Sequence, residues 1–171
     1  MARNNFAPEL YGIDSTTIPG WTMSVMEYLD GYTCLFYLLK AGLTRAQFSA
    51  IEKRLSTAIC LMHSQDYVFG DLRSPNVMIL KSSLDVKLVD FAWAGKAGEA
   101  QYPYDINMNE FKEVESKEDK SKDDEFKVNR PKKVPKDMDG VGPLCIIKKE
   151  HDLKMLKRLI GEMEKCIKGE S

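Results

Sequence analysis

Phe69-Gly70-Asp71-Leu72-Arg73-Ser74-Pro75-Asn76, followed a short way on by Asp90-Phe91-Ala92, is the stretch on which the reading of this sequence turns. Between the two lie Val77 to Leu80 and Val86 to Val89, β-like runs joined by Lys81-Ser82-Ser83-Leu84-Asp85, a connection of hairpin length. Two carboxylates and an amide are thereby expected on loops flanking one rigid hairpin. In the D-x-x-x-x-N spacing, an Asp able to accept a hydroxyl proton and an Asn able to coordinate a divalent cation share one loop. A second Asp after the next strand can add the hard charged oxygen that Mg²⁺ prefers. Arg73, two residues beyond Asp71, brings a cation beside them.

Working outward, Thr44 and Gln47 form the S/T-x-x-E/Q capping pattern, and Phe48, Ile51, Leu55, Ile59 and Met62 follow at helical spacing, which predicts a long helix leading into Phe69. Before it, Leu35 to Leu39 closes on Lys40-Ala41-Gly42 and suits a brief helix with a glycine stop. Trp21 to Leu29 carries Trp21, Met23 and Val25 in alternation and ends at the turn dipeptide Asp30-Gly31, the pattern of a strand. Gly140-Val141-Gly142-Pro143 reads as a loop. From His151 onward, Leu153, Leu156, Leu159, Ile160 and Met163 recur at three- and four-residue steps and predict a second amphipathic helix.

The chain has 171 residues, room for one domain, and 25 basic against 26 acidic side chains. That balance argues against a dedicated nucleic-acid binder, which needs a basic excess. The average conceals a segment, residues 110–137, with nine acidic and nine basic side chains and few large apolar ones. It cannot bury enough surface to offset the entropy of ordering and is expected to be a disordered mixed-charge insert, in which Arg130, Lys132 and Lys133 could form a targeting or partner-binding patch. The expected division is therefore an N-terminal remnant at 1–20, a core at 21–109, the insert, and a C-terminal helical segment at 138–171. Cys34, Cys60, Cys145 and Cys166 show no CxxC spacing, which speaks against a zinc or redox site. Neither a signal peptide nor a bilayer-long apolar run occurs, so no membrane partner is expected, and the expected compartment is the cytosol or nucleus.

The loop residues resemble the catalytic loop and DFG segment of the protein-kinase-like fold. The resemblance makes Asp71 the catalytic base, Arg73 the loop cation, Asn76 a metal ligand and Asp90 the DFG aspartate and second metal ligand. Val25-Met26-Glu27-Tyr28-Leu29 resembles the hinge, with Met26 as gatekeeper, the Glu27 and Leu29 backbone reading adenine, and Met78 on the floor of the adenine pocket. Leu61-Met62-His63 resembles the Leu-His pair closing the long helix, and Asp152 of His151-Asp152 stands where kinases have a buried brace for the catalytic loop. Gly70 to Asn76, Asp90 to Lys96 and Tyr102-Pro103 resemble a group of fungal kinase-like proteins. The resemblance implies ATP and Mg²⁺ as cofactors, phosphoryl transfer as the reaction, and an α+β fold: a truncated kinase-like C-lobe, mainly helical, with the two loops carried on a short hairpin.

The departures from that pattern are specific. No G-x-G-x-x-G occurs, no V-A-I-K-like lysine precedes Met26, Phe69 replaces the usual His and Gly70 the usual Arg. An N-lobe is thus expected to be missing. The alternative to an ATP- and Mg²⁺-dependent phosphotransferase is a catalytically inactive kinase-like remnant that binds a protein partner, through the insert or an apolar face of the last helix bearing Leu156, Leu159 and Ile160. Outside the Asp71 group, plain structural readings are preferred: His63 and His151 as packed helix-end residues, Trp93 as packing, Tyr102-Pro103 as a turn.

Overall fold

The computed structural model describes residues 5–18, 20–106 and 140–168; the whole of the 110–137 insert expectation, with Arg130, Lys132 and Lys133, lies outside the described residues. The described chain is α+β, with three helices and three small antiparallel sheets. Its centre is α2 (Arg45–Ser64), which starts where the sequence says it should. Gln47 N–H donates to Thr44 Oγ1 at 3.2 Å, and Thr44 N–H donates to Gln47 Oε1 at 2.9 Å, so two orphan donors of the first turn are satisfied reciprocally. The five residues of the helical pattern, Phe48, Ile51, Leu55, Ile59 and Met62, are all buried.

The brief helix expected at Leu35 to Leu39 is α1 (Leu35–Ala41), ending at Gly42. The expected hairpin is β5 (Val77–Leu80) and β6 (Val86–Leu88), paired with Val77 opposite Leu88. It does not stand alone: β3 (Tyr32–Cys34), which the sequence reading left unassigned, pairs antiparallel with β5 and makes a three-stranded sheet. Val77, Ile79, Val86 and Leu88 face α2, while Met78 and Leu80 alternate to the other side and are half-buried. A short 3₁₀ turn, Ser74–Asn76, joins the Asp71 loop to β5.

The hinge-like strand is shorter than Trp21 to Leu29. It is β2 (Met23–Met26), paired with β1 (Leu10–Asp14), a strand the reading did not foresee because Tyr11-Gly12 interrupts its alternation; the register slips between Leu10 and Gly12. This two-stranded ribbon is exposed along most of its length, with Tyr11, Ile13, Trp21, Met23 and Val25 all open to solvent.

The last helix, α3, runs Lys149–Lys165 and packs across α2. Leu156, Leu159 and Met163 are buried there, which corrects the expectation of an uncovered apolar face on this helix; only Leu153 is largely exposed. The apolar exposure lies on the ribbon instead. Between α2 and the Asp71 loop sits β4 (Tyr67–Val68), paired with β7 (Gly95–Lys96). A second small core of Val68, Tyr102, Ile106, Val141 and Ile147 forms beside it. Tyr102 is therefore more than a turn residue: it is almost fully buried, its ring meets Trp93 edge-on and stacks on His151, and its hydroxyl lies 3.1 Å from His151 Nδ1. Burial, with the Asp152 charge behind it, holds the Tyr102 phenol well above its usual range, so the hydroxyl stays protonated. No helix among the described residues is long and apolar enough to cross a membrane.

The loop entering the site is fixed from α3. Asp152 is fully buried and accepts from Phe69 N–H at 2.8 Å and Gly70 N–H at 2.7 Å, while His63 Nε2 lies 3.0 Å from the same carboxylate. Gly70 has φ +80°, and a Cβ there would stand 2.9 Å from Ile147 Cδ1 and 3.3 Å from the Trp93 backbone oxygen. At the position that carries Arg in the kinase pattern a side chain would be crowded, and the Ile147 side chain and the Trp93 segment would have to shift. Three stability outcomes are expected, all read as midpoints of thermal unfolding. Asp152→Ala leaves three polar groups without their acceptor and should cost about 3 kcal/mol or more. Gly70→Ala, strained and crowded, should cost about 2 kcal/mol, a fall of roughly 4–8 °C. Gly98→Ala, also at positive φ (+85°) but with nothing within 4 Å of its Cβ, should cost only about 1 kcal/mol.

Candidate functional site

Asp71 follows the pinned Phe69-Gly70 pair directly, so its position is inherited from Asp152. Arg73 Nε donates to Asp71 Oδ2 at 2.9 Å, and Asn76 Nδ2 donates to the same oxygen at 2.7 Å and to the Asp71 backbone carbonyl at 3.0 Å. Both side-chain bonds thus fall on Oδ2. Asn76 is held in turn by its backbone: its N–H donates to Arg73 O and its carbonyl accepts from Val89 N–H, which ties the loop to the end of β6. The Ser74–Asn76 turn places Arg73 and Asn76 on either side of one carboxylate, the geometric reason for a four-residue gap between Asp71 and Asn76.

The Asp71 side chain is 13% exposed. Burial is the main influence on its carboxyl and pushes it above the ordinary aspartate range, despite the Arg73 charge and the two donated bonds. The charge of Asp90 pushes weakly in the same direction. Asp90 sits just past β6 with φ +62°, in the left-handed region that non-glycine residues rarely adopt. Its neighbour Phe91 meets the Phe69 ring edge-on at 5.2 Å, so an apolar contact joins the two loops beneath their polar residues. Among the described residues no group of three His, Cys, Asp or Glu could hold a metal ion by itself.

The adenine-side residues are distributed differently. Met26 and Asp90 both line an open, mostly apolar cavity of about 1150 Å³ between the ribbon and the end of α2, with Leu10, Met62, Phe91 and Ala94 also on its wall. Asp71, Arg73, Asn76, Met78, Glu27 and Leu29 are not on that wall. Met78 lies on the side of β5 away from the core, opposite Cys34 and Lys87 in the sheet. Glu27 N–H donates to Glu9 O at 2.8 Å, and Leu29 O accepts from Tyr32 N–H; in the backbone hydrogen bonding of the described residues, the Glu27 carbonyl and the Leu29 N–H are not used.

One charged residue was missed from sequence. Lys87 is 3% exposed and its Nζ lies 2.5 Å from Glu27 Oε2, 5.7 Å from the centre of the Tyr32 ring. The Lys87 bond holds the Glu27 carboxyl below its usual range. A lysine between Val86 and Leu88 reads as the outward position of an edge strand, and only the arrival of Glu27 from the ribbon buries it.

Comparison with known proteins gives partial similarities. No protein-family model matches the chain. It is similar to the serine/threonine-protein kinase SMU1 of Mycosarcoma maydis, 28% identical over 89 residues, which is 52% of this chain and 12% of that protein. A stretch of 87 residues is 28% identical to the serine/threonine-protein kinase STE20 of Kluyveromyces lactis, covering 51% of this chain and 9% of the relative. Another of 80 residues is 32% identical to the serine/threonine-protein kinase ppk25 of Schizosaccharomyces pombe, covering 46% and 19%. The chain thus matches a small part of each of these curated relatives, and over about half its own length it is related in sequence to serine/threonine kinases.

Proposed function

We propose that this chain carries, on a kinase-like C-lobe, the acceptor- and metal-binding half of a phosphotransfer site. The observation that carries the reading is the hydrogen-bonded set Asp71, Arg73 and Asn76, joined through the Asn76 carbonyl to Val89, the residue before Asp90. Asp71 has spent Oδ2 on Arg73 and Asn76, so Oδ1 is the oxygen that would orient and deprotonate an acceptor hydroxyl. Arg73 supplies positive charge beside the transferred group. Met26, Met78 and the backbone of Glu27 and Leu29 would contact the adenine of ATP.

The donor set suits Mg²⁺. Asn76 Nδ2 is committed to Asp71, which leaves its Oδ1 as the side-chain atom for a cation, and Asp90 adds a carboxylate. Two protein oxygens are what an ion that retains water and phosphate oxygens requires, and bound there it would neutralise charge on the phosphates. A non-catalytic reading, a kinase-like module that binds a protein partner, is favoured by a different observation, the apolar ribbon on which Trp21 and Met23 are open to solvent.

Titration with ATP, with and without Mg²⁺, separates the two. The phosphotransfer reading expects Mg²⁺-dependent binding that weakens at least about tenfold in Asp90→Ala; no binding at millimolar ATP leaves the non-catalytic module standing. Where turnover is measurable, Asp71→Asn should lower it by about 10²-fold or more. Because burial raises the Asp71 carboxyl, the acid limb of the rate profile should lie above the ordinary aspartate range, and a limb at or below that range would count against Asp71 as the base.

A further inference from the structure

Lys87 and Glu27 join two parts of the molecule that share little else. The ribbon of β1 and β2 is a separate sheet from β3, β5 and β6, and a two-stranded ribbon has little stability of its own. Its strands bury no large side chain, so apolar packing along them cannot fix how the ribbon stands on the rest of the fold. At its base the picture changes. Glu27 Oε2 accepts from Lys87 Nζ at 2.5 Å and from Glu9 N–H at 3.0 Å, while Glu27 N–H donates to Glu9 O at 2.8 Å. One carboxylate therefore clamps the entry to β1 and the exit from β2, and binds both to the middle of β6. Phe6 adds a neighbouring tie, its carbonyl accepting from Leu88 N–H at 2.9 Å.

We infer that the Lys87–Glu27 ion pair is the strut that seats the β1–β2 ribbon on the β3–β5–β6 sheet, making Lys87 a positioning residue. The lysine is desolvated and stands over the Tyr32 ring, whereas the Glu27 side chain is 31% exposed, so removing the glutamate strands a buried ammonium while removing the lysine frees a carboxylate that water can reach. Three residues on from Lys87 in the same chain comes Asp90; one residue before Glu27 comes Met26. The strut thus stands close along the chain to two residues that both line the open cavity. Resting on the nucleotide reading above, it also fixes the backbone of Glu27 and Leu29 relative to Met78, which precedes the same hairpin turn.

Amide hydrogen exchange of the full chain tests the strut without any ligand. In Lys87→Met, exchange within Leu10–Asp14 and Met23–Met26 should rise at least about tenfold while the buried turns of α2 and the amides of β5 keep their protection, and Lys87→Arg should restore the ribbon. Unchanged ribbon exchange in Lys87→Met overturns the proposal, as does loss of protection in α2 and β5 in step with the ribbon. Should Lys87→Met not fold, Glu27→Gln, which keeps the shape and removes the charge, carries the same comparison. ATP titration is a second arm: wild-type binding with about tenfold weaker binding in Lys87→Met supports the link from strut to nucleotide. If the wild-type chain binds no ATP, the nucleotide reading fails by itself, and the exchange comparison still decides the strut.

Discussion

The Asp152 carboxylate is the constraint on which the rest of this molecule depends. It leaves α3 near its first turn, reaches the end of α2 at His63, and takes the two consecutive amide hydrogens of Phe69 and Gly70. Consecutive N–H groups point the same way only where the backbone turns sharply, and the positive φ of Gly70 supplies that turn. The residue that leaves the turn is Asp71. A fully buried charge is expensive to hold, and this one is tolerated because every group it meets is a donor. The cost is repaid in position: the start of the Asp71 loop is held directly by the helices it hangs between.

Polar positioning and apolar packing divide the labour in a consistent way. Beneath the loops, Phe69 against Phe91 and Gly70 against Ile147 and Trp93 hold the backbone at van der Waals distance. Above them, Arg73 and Asn76 converge on one oxygen of Asp71. Phe69 and Gly70, which stand where the kinase pattern has His and Arg, therefore belong to the apolar and backbone underside of the loop and not to its polar side.

Much of this was legible from sequence because it is local. The capping pair Thr44 and Gln47, the helical spacing of Phe48 to Met62, and the Val77 and Val86 runs each fix an element within one short window, and their order placed Asp71, Asn76 and Asp90 around one hairpin. The ends of the ribbon were less legible. β1 is interrupted by the bulge at Tyr11, so its alternation is broken, and β3 is three residues long, too short for any periodic signal. The face of α3 was misjudged for a different reason: whether Leu156 and Leu159 are covered depends on α2, almost a hundred residues earlier, and spacing alone cannot report a partner. Lys87 shows the same limit in electrostatic form, since a lysine in a strand looks solvated until its counter-ion arrives from a distant segment.

The ribbon has a consequence for how the protein behaves in bulk. Among the described residues each of its two strands has one neighbour, and the outer edges offer rows of backbone donors and acceptors beside the exposed side chains of Ile13, Met23 and Val25, with Glu9 before β1 and Asp14 at its end as the nearby charges. Such edges template strand addition from any extended chain, including an identical one. Colloidal stability at a net charge of only -1 is accordingly governed by these few residues rather than by the large core beneath them, and solubility and fold stability become separately adjustable properties of the same chain.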